Sequence, residues 1–266
     1  MSFSATDAAF EGFRVTRQNP TAVLLWAVAW LIGLVVSALI AAPIMGPHMS
    51  ELQAANGDVN ALSPEALQAF FLAMAGFLPP LILVQALVAP AVYRAVLQPD
   101  ARRFGYIRTG KTEARMLGVL VGLAAIQIGS NIGADLLVRG ANAVGGIGAA
   151  VVVNLATFAL TVWLAARLSL VAPLVMVRPG LPIREGWKLS GPMVWSLLGV
   201  LFLSLAMALL VGLLLALIGW PLSAAMGGAG AGVASLLLMI LMGLGAALLT
   251  TLIWSPFAAI VKQLEG

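Results

Sequence analysis

Residues 21–45 contain no charged side chain, and five further runs (66–93, 116–137, 147–177, 194–220 and 233–261) hold between them only Asp135 and Arg167. The hydrocarbon core of a bilayer is about 30 Å thick and takes about 20 apolar residues to cross as a helix. Each run reaches that length, and a helix satisfies its own backbone where no water is present. Composition leaves no soluble alternative: 62% of residues are hydrophobic and 9% charged, against roughly 45–50% and 25% in soluble domains. Disorder needs the opposite balance. A sustained strand alternation is missing, which argues against a β-barrel. The lack of cysteine removes disulfides, thiolate catalysis and Cys-ligated metals. The chain is therefore expected to be all-α and polytopic, one membrane domain over 1–266 with six transmembrane helices. The first apolar run spans about 25 residues, beyond the roughly 7–15 of a signal-peptide core, and reads as a retained span.

The basic residues set an orientation. Of the 14 Lys and Arg, only Arg139 falls in a loop on one side. The rest lie before the first span (Arg14, Arg17), between spans two and three (Arg94, Arg102, Arg103, Arg108, Lys111, Arg115), around the end of span four (Arg167, Arg178, Arg184, Lys188), and at Lys262. By the positive-inside rule both termini are cytoplasmic. The net charge of +4 then belongs to a rim facing anionic headgroups, and no nucleic-acid site is expected. Arg94, Arg102, Arg103, Arg108, Lys111, Arg115, Arg178, Arg184 and Lys188 are candidates for contact with lipid headgroups or with a protein partner, which includes a second copy of the chain.

Three segments echo one another. The sequences Leu87-Val88-Ala89-Pro90, Leu170-Val171-Ala172-Pro173 and Ile253-Trp254-Ser255-Pro256 end the even-numbered spans, with their prolines 83 residues apart each time. A basic residue follows each: Arg94, Arg178 and Lys262. Ahead of the odd-numbered spans stand Glu11-Gly12-Phe13-Arg14, Phe104-Gly105-Tyr106-Ile107 and Glu185-Gly186-Trp187-Lys188. Equal intervals of this kind mark an internal repeat. Three tandem helical hairpins are expected, over about 1–98, 99–180 and 181–266, each preceded by a cytoplasmic amphipathic segment. Pro90, Pro173 and Pro256, with the mid-span pair Pro79-Pro80, are the expected hinges, because proline removes a backbone donor and bends its helix. The fourth run, at about 31 residues and roughly 46 Å, is too long for one straight crossing. It must tilt, or break near Pro173 with its last turns on the surface.

Polar groups inside a membrane span are candidates for function. Gln127, Asn131 and Asp135, at i, i+4 and i+8, share one face of span three, and Asn154 on span four is expected at a similar depth. Arg167 and Gln85 are expected near the inner side of the repeat axis. Together these six residues form a candidate polar lining between helices. The alternative for each is interhelical hydrogen bonding or, for Arg167, snorkelling to the headgroups. The pairs Gly118/Gly122 and Gly129/Gly133 permit close helix approach. No nucleophile–base pair, metal motif or phosphate loop is present, and the single histidine, His48, stands in a loop. The reading is of a non-enzyme without cofactor.

The residues 166–175 (ARLSLVAPLV) and 183–195 (IREGWKLSGPMVW) resemble the YciC-like six-helix bacterial inner-membrane proteins and the membrane domain that precedes some glycerophosphodiester phosphodiesterases. Arg167, Leu168, Ser169, Leu170 and Pro173 match that group's R-[LF]-S-[LF]-x-x-P turn, and Trp187 its following helix. The resemblance implies a bacterial inner membrane and a connection with lipids; it carries no phosphodiesterase activity. Transport or lipid handling through a polar-lined site is thus expected, and the alternative is a membrane scaffold or assembly partner acting through its basic loops.

Overall fold

A computed structural model describes residues 4–56, 58, 61–225 and 231–265. Among these the chain is helical, with no strand. The elements are α1 (Ala5–Ala9), α2 (Glu11–Gln18), α3 (Pro20–Met45), α4 (Met49–Ala55), α5 (Pro64–Leu97), α6 (Lys111–Leu168), α7 (Val171–Val177), α8 (Ile183–Ser190), α9 (Val194–Ala224) and α10 (Ala231–Glu265). Five helical stretches are long and apolar enough to cross a membrane: Pro20–Ala55, Pro64–Leu97, Arg103–Val177, Val194–Ala224 and Gly232–Glu265. The third and fourth apolar runs fall within one of these stretches. Part of the connection between the fifth and sixth runs, 226–230, lies outside the described residues.

Helix α6 continues through the expected loop at 138–146 and is interrupted only at Gly146, with φ 67° and ψ −166°. That conformation is essentially restricted to glycine, since a Cβ would clash with the flanking carbonyls. Gln127 and Leu164 nevertheless line one cavity, although a straight helix would hold them roughly 55 Å apart. Arg115, near the start of α6, also donates to the Arg178 carbonyl at 3.2 Å. The chain therefore doubles back at Gly146, and the two arms of α6 lie side by side.

The fourth run breaks at Ser169–Leu170 and not at Pro173 itself. Pro173 has no N–H to offer the Ser169 carbonyl, and its ring crowds that turn. Two serines satisfy carbonyls at the break: Ser169 Oγ donates to Ala166 at 2.8 Å and Ser190 Oγ to Arg167 at 2.8 Å. The short α7 that follows does not lie on the surface: Val171 to Val175 are buried, packed among α5, α6, α8 and α10. Pro79, Pro80, Pro90 and Pro256 stay inside continuous helices. Near the Pro79-Pro80 pair, Ser37 of α3, fully buried, donates to the Phe77 carbonyl at 2.8 Å.

Burial is concentrated at the end of the bundle that carries the three repeated prolines. Val88, Ala91 and Val92 of α5, Val171, Ala172 and Val175 of α7, and Ala258 and Ala259 of α10 belong to one core. Two short helices close this end. Helix α2 rests on α10 so tightly that a Cβ on Gly12 would stand 2.8 Å from Leu252 Cα, and α8 rests on α7 with the Gly186 position 3.2 Å from Val171 Cα. Between α5 and α6, Arg103–Tyr106 is a single tight turn with Phe104, Gly105 and Tyr106 all at positive φ. It is held by Trp26 Nε1, which donates to the Gly105 carbonyl at 2.7 Å. Tyr106 Oη donates to Asn19 Oδ1 at 3.1 Å or to the Pro99 carbonyl at 3.0 Å. By contrast Gly118, Gly122, Gly129 and Gly133 meet nothing within 4 Å, so close approach is not realised there.

Arg94, expected at the headgroups, is 5% exposed. Its guanidinium donates to the Tyr106 carbonyl at 3.0 Å and pairs with Glu113, itself buried. Removing one partner of a buried pair strands the other charge. Arg94→Ala is expected to cost about 3–5 kcal/mol in denaturant unfolding of the detergent-solubilised protein. The double change Arg94→Met with Glu113→Leu should recover most of that loss.

Candidate functional site

The sequence-predicted polar residues do not form one lining. Gln127 lines a cavity of about 290 Å³, together with Ser130. Asn131 is next to it, accepting from Gln127 Nε2 at 3.0 Å, but is exposed and outside the cavity wall. Asp135 lies farther along the same arm, exposed and paired with Arg139 at 2.8 Å. Asn154 is exposed, its carbonyl accepting from Thr157 Oγ1 at 2.9 Å. Gln85 is half-buried and takes no part in the cavity. Thr250, one 83-residue interval after Arg167, and the adjacent Thr251 are buried and donate to carbonyls of their own helix, Ala246 and Ala247.

Arg167 projects away from the cavity. Leu164, Ala165, Leu168 and Ser169 line it, and at about 100° per residue Arg167 leaves the helix on another side. There its guanidinium carbon sits 4.3 Å from the Trp187 ring centre and 5.7 Å from that of Trp163. The two indoles meet edge to face at 5.6 Å. Its Nε is buried without a hydrogen-bond partner; among the described residues no acid pairs with this half-buried guanidinium, and the ring quadrupoles contribute to holding its charge. This explains why an arginine is tolerated so far along an apolar run.

The cavity lies between the two arms of α6 and the ends of α5, α7, α9 and α10. Leu123, Ile126, Leu164, Leu168, Leu201, Ile253 and Phe257 supply its apolar wall. Gln127, Ser130, Thr161, Ser169, Tyr93 and Trp254 supply its polar side chains. Ile126, Gln127 and Ala165 are exposed, so it opens on the side of the molecule. Tyr93 packs edge-on against Trp254 at 5.8 Å, is fully buried, and has no hydrogen-bond partner for its hydroxyl. Sequence reasoning missed Tyr93, Thr161, Ser169 and Trp254. A tyrosine beside Arg94 reads as an interfacial anchor, while the repeat placed Trp254 and Ala172 near converging helix ends without indicating that a gap remained between them.

The other basic residues divide. Arg102, Arg103, Arg108, Lys111, Arg184 and Lys188 are exposed, Arg103 lying 5.4 Å from the Phe104 ring centre. Arg178 pairs with Glu185 at 3.1 Å and Glu265 at 2.7 Å, tying α8 to α10; exposed pairs of this kind are worth about 0–1 kcal/mol each. No protein-family model matches the chain, and comparison with curated proteins and with solved structures returns no match.

The separation of Arg167 from the cavity has a measurable consequence. Arg167→Met keeps the aliphatic stem and removes the cation, and should lower unfolding stability by about 0.5–2 kcal/mol. Occupancy of the cavity, followed by native mass spectrometry, should not change.

Proposed function

We propose that this chain is a six-crossing integral protein of a bacterial cytoplasmic membrane, with both termini in the cytoplasm, that handles lipid through its lateral cavity. The observation that carries the reading is the cavity itself. It combines an apolar wall, a few uncharged polar groups and an opening on the side of the bundle, where a bilayer-dissolved molecule would enter without passing through water. Pockets with few polar groups in an apolar wall are the usual form of small-molecule sites. Transport across the bilayer is the less favoured form of the same reading, since Asn131, Asp135 and Asn154 are not gathered into a polar path.

Six crossings follow from counting each arm of α6 as one span. The break at Gly146 and the exposure of Val144 and Ile147 suit a tight turn at the outer face, and the basic residues crowd the opposite end. The threefold repeat is supported by packing as well as by spacing. Helix α8, which precedes the third hairpin, rests on the end of the second; α2, which precedes the first, rests on the end of the third. The turn at Arg103–Tyr106, which precedes the second hairpin, is tied through Arg94 to the end of the first. Each connection steps to the preceding hairpin in a ring. The resemblance to the YciC-like group fits both this plan and the lipid connection. A scaffold role through Arg102, Arg103, Arg108, Arg184 and Lys188 draws on their exposure; it predicts loss of a complex on charge reversal.

Because the chain has no cysteine, single-cysteine variants report topology directly. An impermeant maleimide added to intact cells should label Ser50→Cys and Ser223→Cys, and should label Gly110→Cys and Gln263→Cys only after lysis; one reversal removes the six-crossing plan. For the cavity, native mass spectrometry of gently extracted protein should detect a retained lipid that Ala165→Trp displaces. A lipid-free wild-type protein holding a second polypeptide would favour the scaffold instead.

A further inference from the structure

Among the described residues no charged side chain lines the cavity, and the charges closest in sequence to its wall are engaged elsewhere. Arg94 is bound to Glu113 and to the Tyr106 carbonyl. Asp135 is bound to Arg139, and Arg167 lies against Trp187. An ionised headgroup seated in this site would lose its hydration with no counter-charge, which is strongly unfavourable. Most of the hydroxyl and amide donors are already satisfied. Thr161 Oγ1 donates to the Thr157 carbonyl at 2.9 Å, Ser169 Oγ to Ala166 at 2.8 Å, and Gln127 Nε2 to Asn131. Tyr93 is different: fully buried, on the cavity wall, with no partner for its hydroxyl. A buried unpaired donor is a rare and costly feature; the hydroxyl has no accessible surface, so a small shift of the ring or its neighbours brings it to a ligand oxygen, and that bond removes the cost.

We infer that the cavity takes an uncharged lipid whose ester or hydroxyl oxygen accepts a hydrogen bond from Tyr93. This class assignment rests on the lipid-handling reading. At about 290 Å³ the space is at the lower end of ligand pockets, so it holds the polar linkage and the first part of a chain. The rest of the chain leaves between Ile126 and Ala165 into the hydrocarbon.

The test uses the full-length protein in phosphatidylcholine nanodiscs doped with either dioleoylglycerol or dioleoylphosphatidate, which share their acyl chains and differ in charge. Native mass spectrometry should find one dioleoylglycerol per chain and no phosphatidate. Tyr93→Phe should lower dioleoylglycerol occupancy about five- to tenfold while leaving the melting temperature of the lipid-free protein unchanged or higher, because the hydroxyl it removes has no partner. Ala165→Trp should abolish retention. Equal or preferred retention of phosphatidate overturns the uncharged class and leaves lipid handling standing, whereas retention of neither probe overturns both. Wild-type retention by Tyr93→Phe overturns the hydrogen-bond assignment, and dioleoylglycerol that Ala165→Trp does not displace overturns the location.

Discussion

The buried pair of Arg94 and Glu113 joins more of the molecule than any other polar contact described above. Arg94 belongs to α5 and Glu113 to α6, and the same guanidinium holds the carbonyl of Tyr106. Tyr106 in turn reaches Asn19, at the junction of α2 and α3, while Trp26 of α3 fixes Gly105. Four parts of the chain therefore meet around one cation. Where few charges exist and most surface is apolar, hydrophobic burial is non-directional; the geometry of a guanidinium fork is directional. This contact can specify where α6 starts relative to α5 in a way that alternative leucine packings cannot.

The distribution of packing follows from it. At the proline-bearing end, α5, α7 and α10 interlock with α2, α8 and the turn at Arg103–Tyr106. Toward Gly146 the arms of α6 have little contact with the rest, and Val144 and Ile147 are among the most exposed apolar residues. A hairpin anchored at one end and splayed at the other leaves space where it departs from the bundle, and the cavity occupies that space. The site is thus a consequence of unequal anchoring. Its walls come from residues with ordinary roles in apolar helices, and part of its polarity from the hydroxyls of Thr161 and Ser169, which first serve their own backbone.

The three echoing segments take different local forms under different constraints. Pro90 and Pro256 remain within long helices, whereas the turn before Pro173 opens. At the break the Ala166 and Arg167 carbonyls accept from Ser169 and Ser190, which lowers its cost. Similarly, the segments at 11–14 and 185–188 are helices resting on glycine contacts, while that at 104–107 is a left-handed turn, a costly conformation for Phe104 and Tyr106 that Arg94, Trp26 and Asn19 hold in place.

Helical class and the positions of the apolar stretches were legible because they depend on composition and local stereochemistry; the prolines read as hinges were not, since Pro79, Pro80, Pro90 and Pro256 lie inside continuous helices. Gly146 as a break, by contrast, was hidden among several neighbouring glycines, any of which could have turned the chain. The i, i+4, i+8 spacing placed Gln127, Asn131 and Asp135 on one helix face, but spacing does not say what that face meets, and only Gln127 reaches the cavity. Arg94 read as a headgroup contact because its partner, Glu113, lies beyond a loop of unmarked length. Arg167 read as part of a polar lining because the rings that receive it come from another turn and another helix. Sequence alone determined that this chain is made of apolar helices, since hydrophobicity and backbone satisfaction are properties of each segment by itself. Which polar groups are buried together, and where a gap is left between helices, was decided only by the tertiary structure, because both depend on how helix faces rotate toward neighbours distant in the chain.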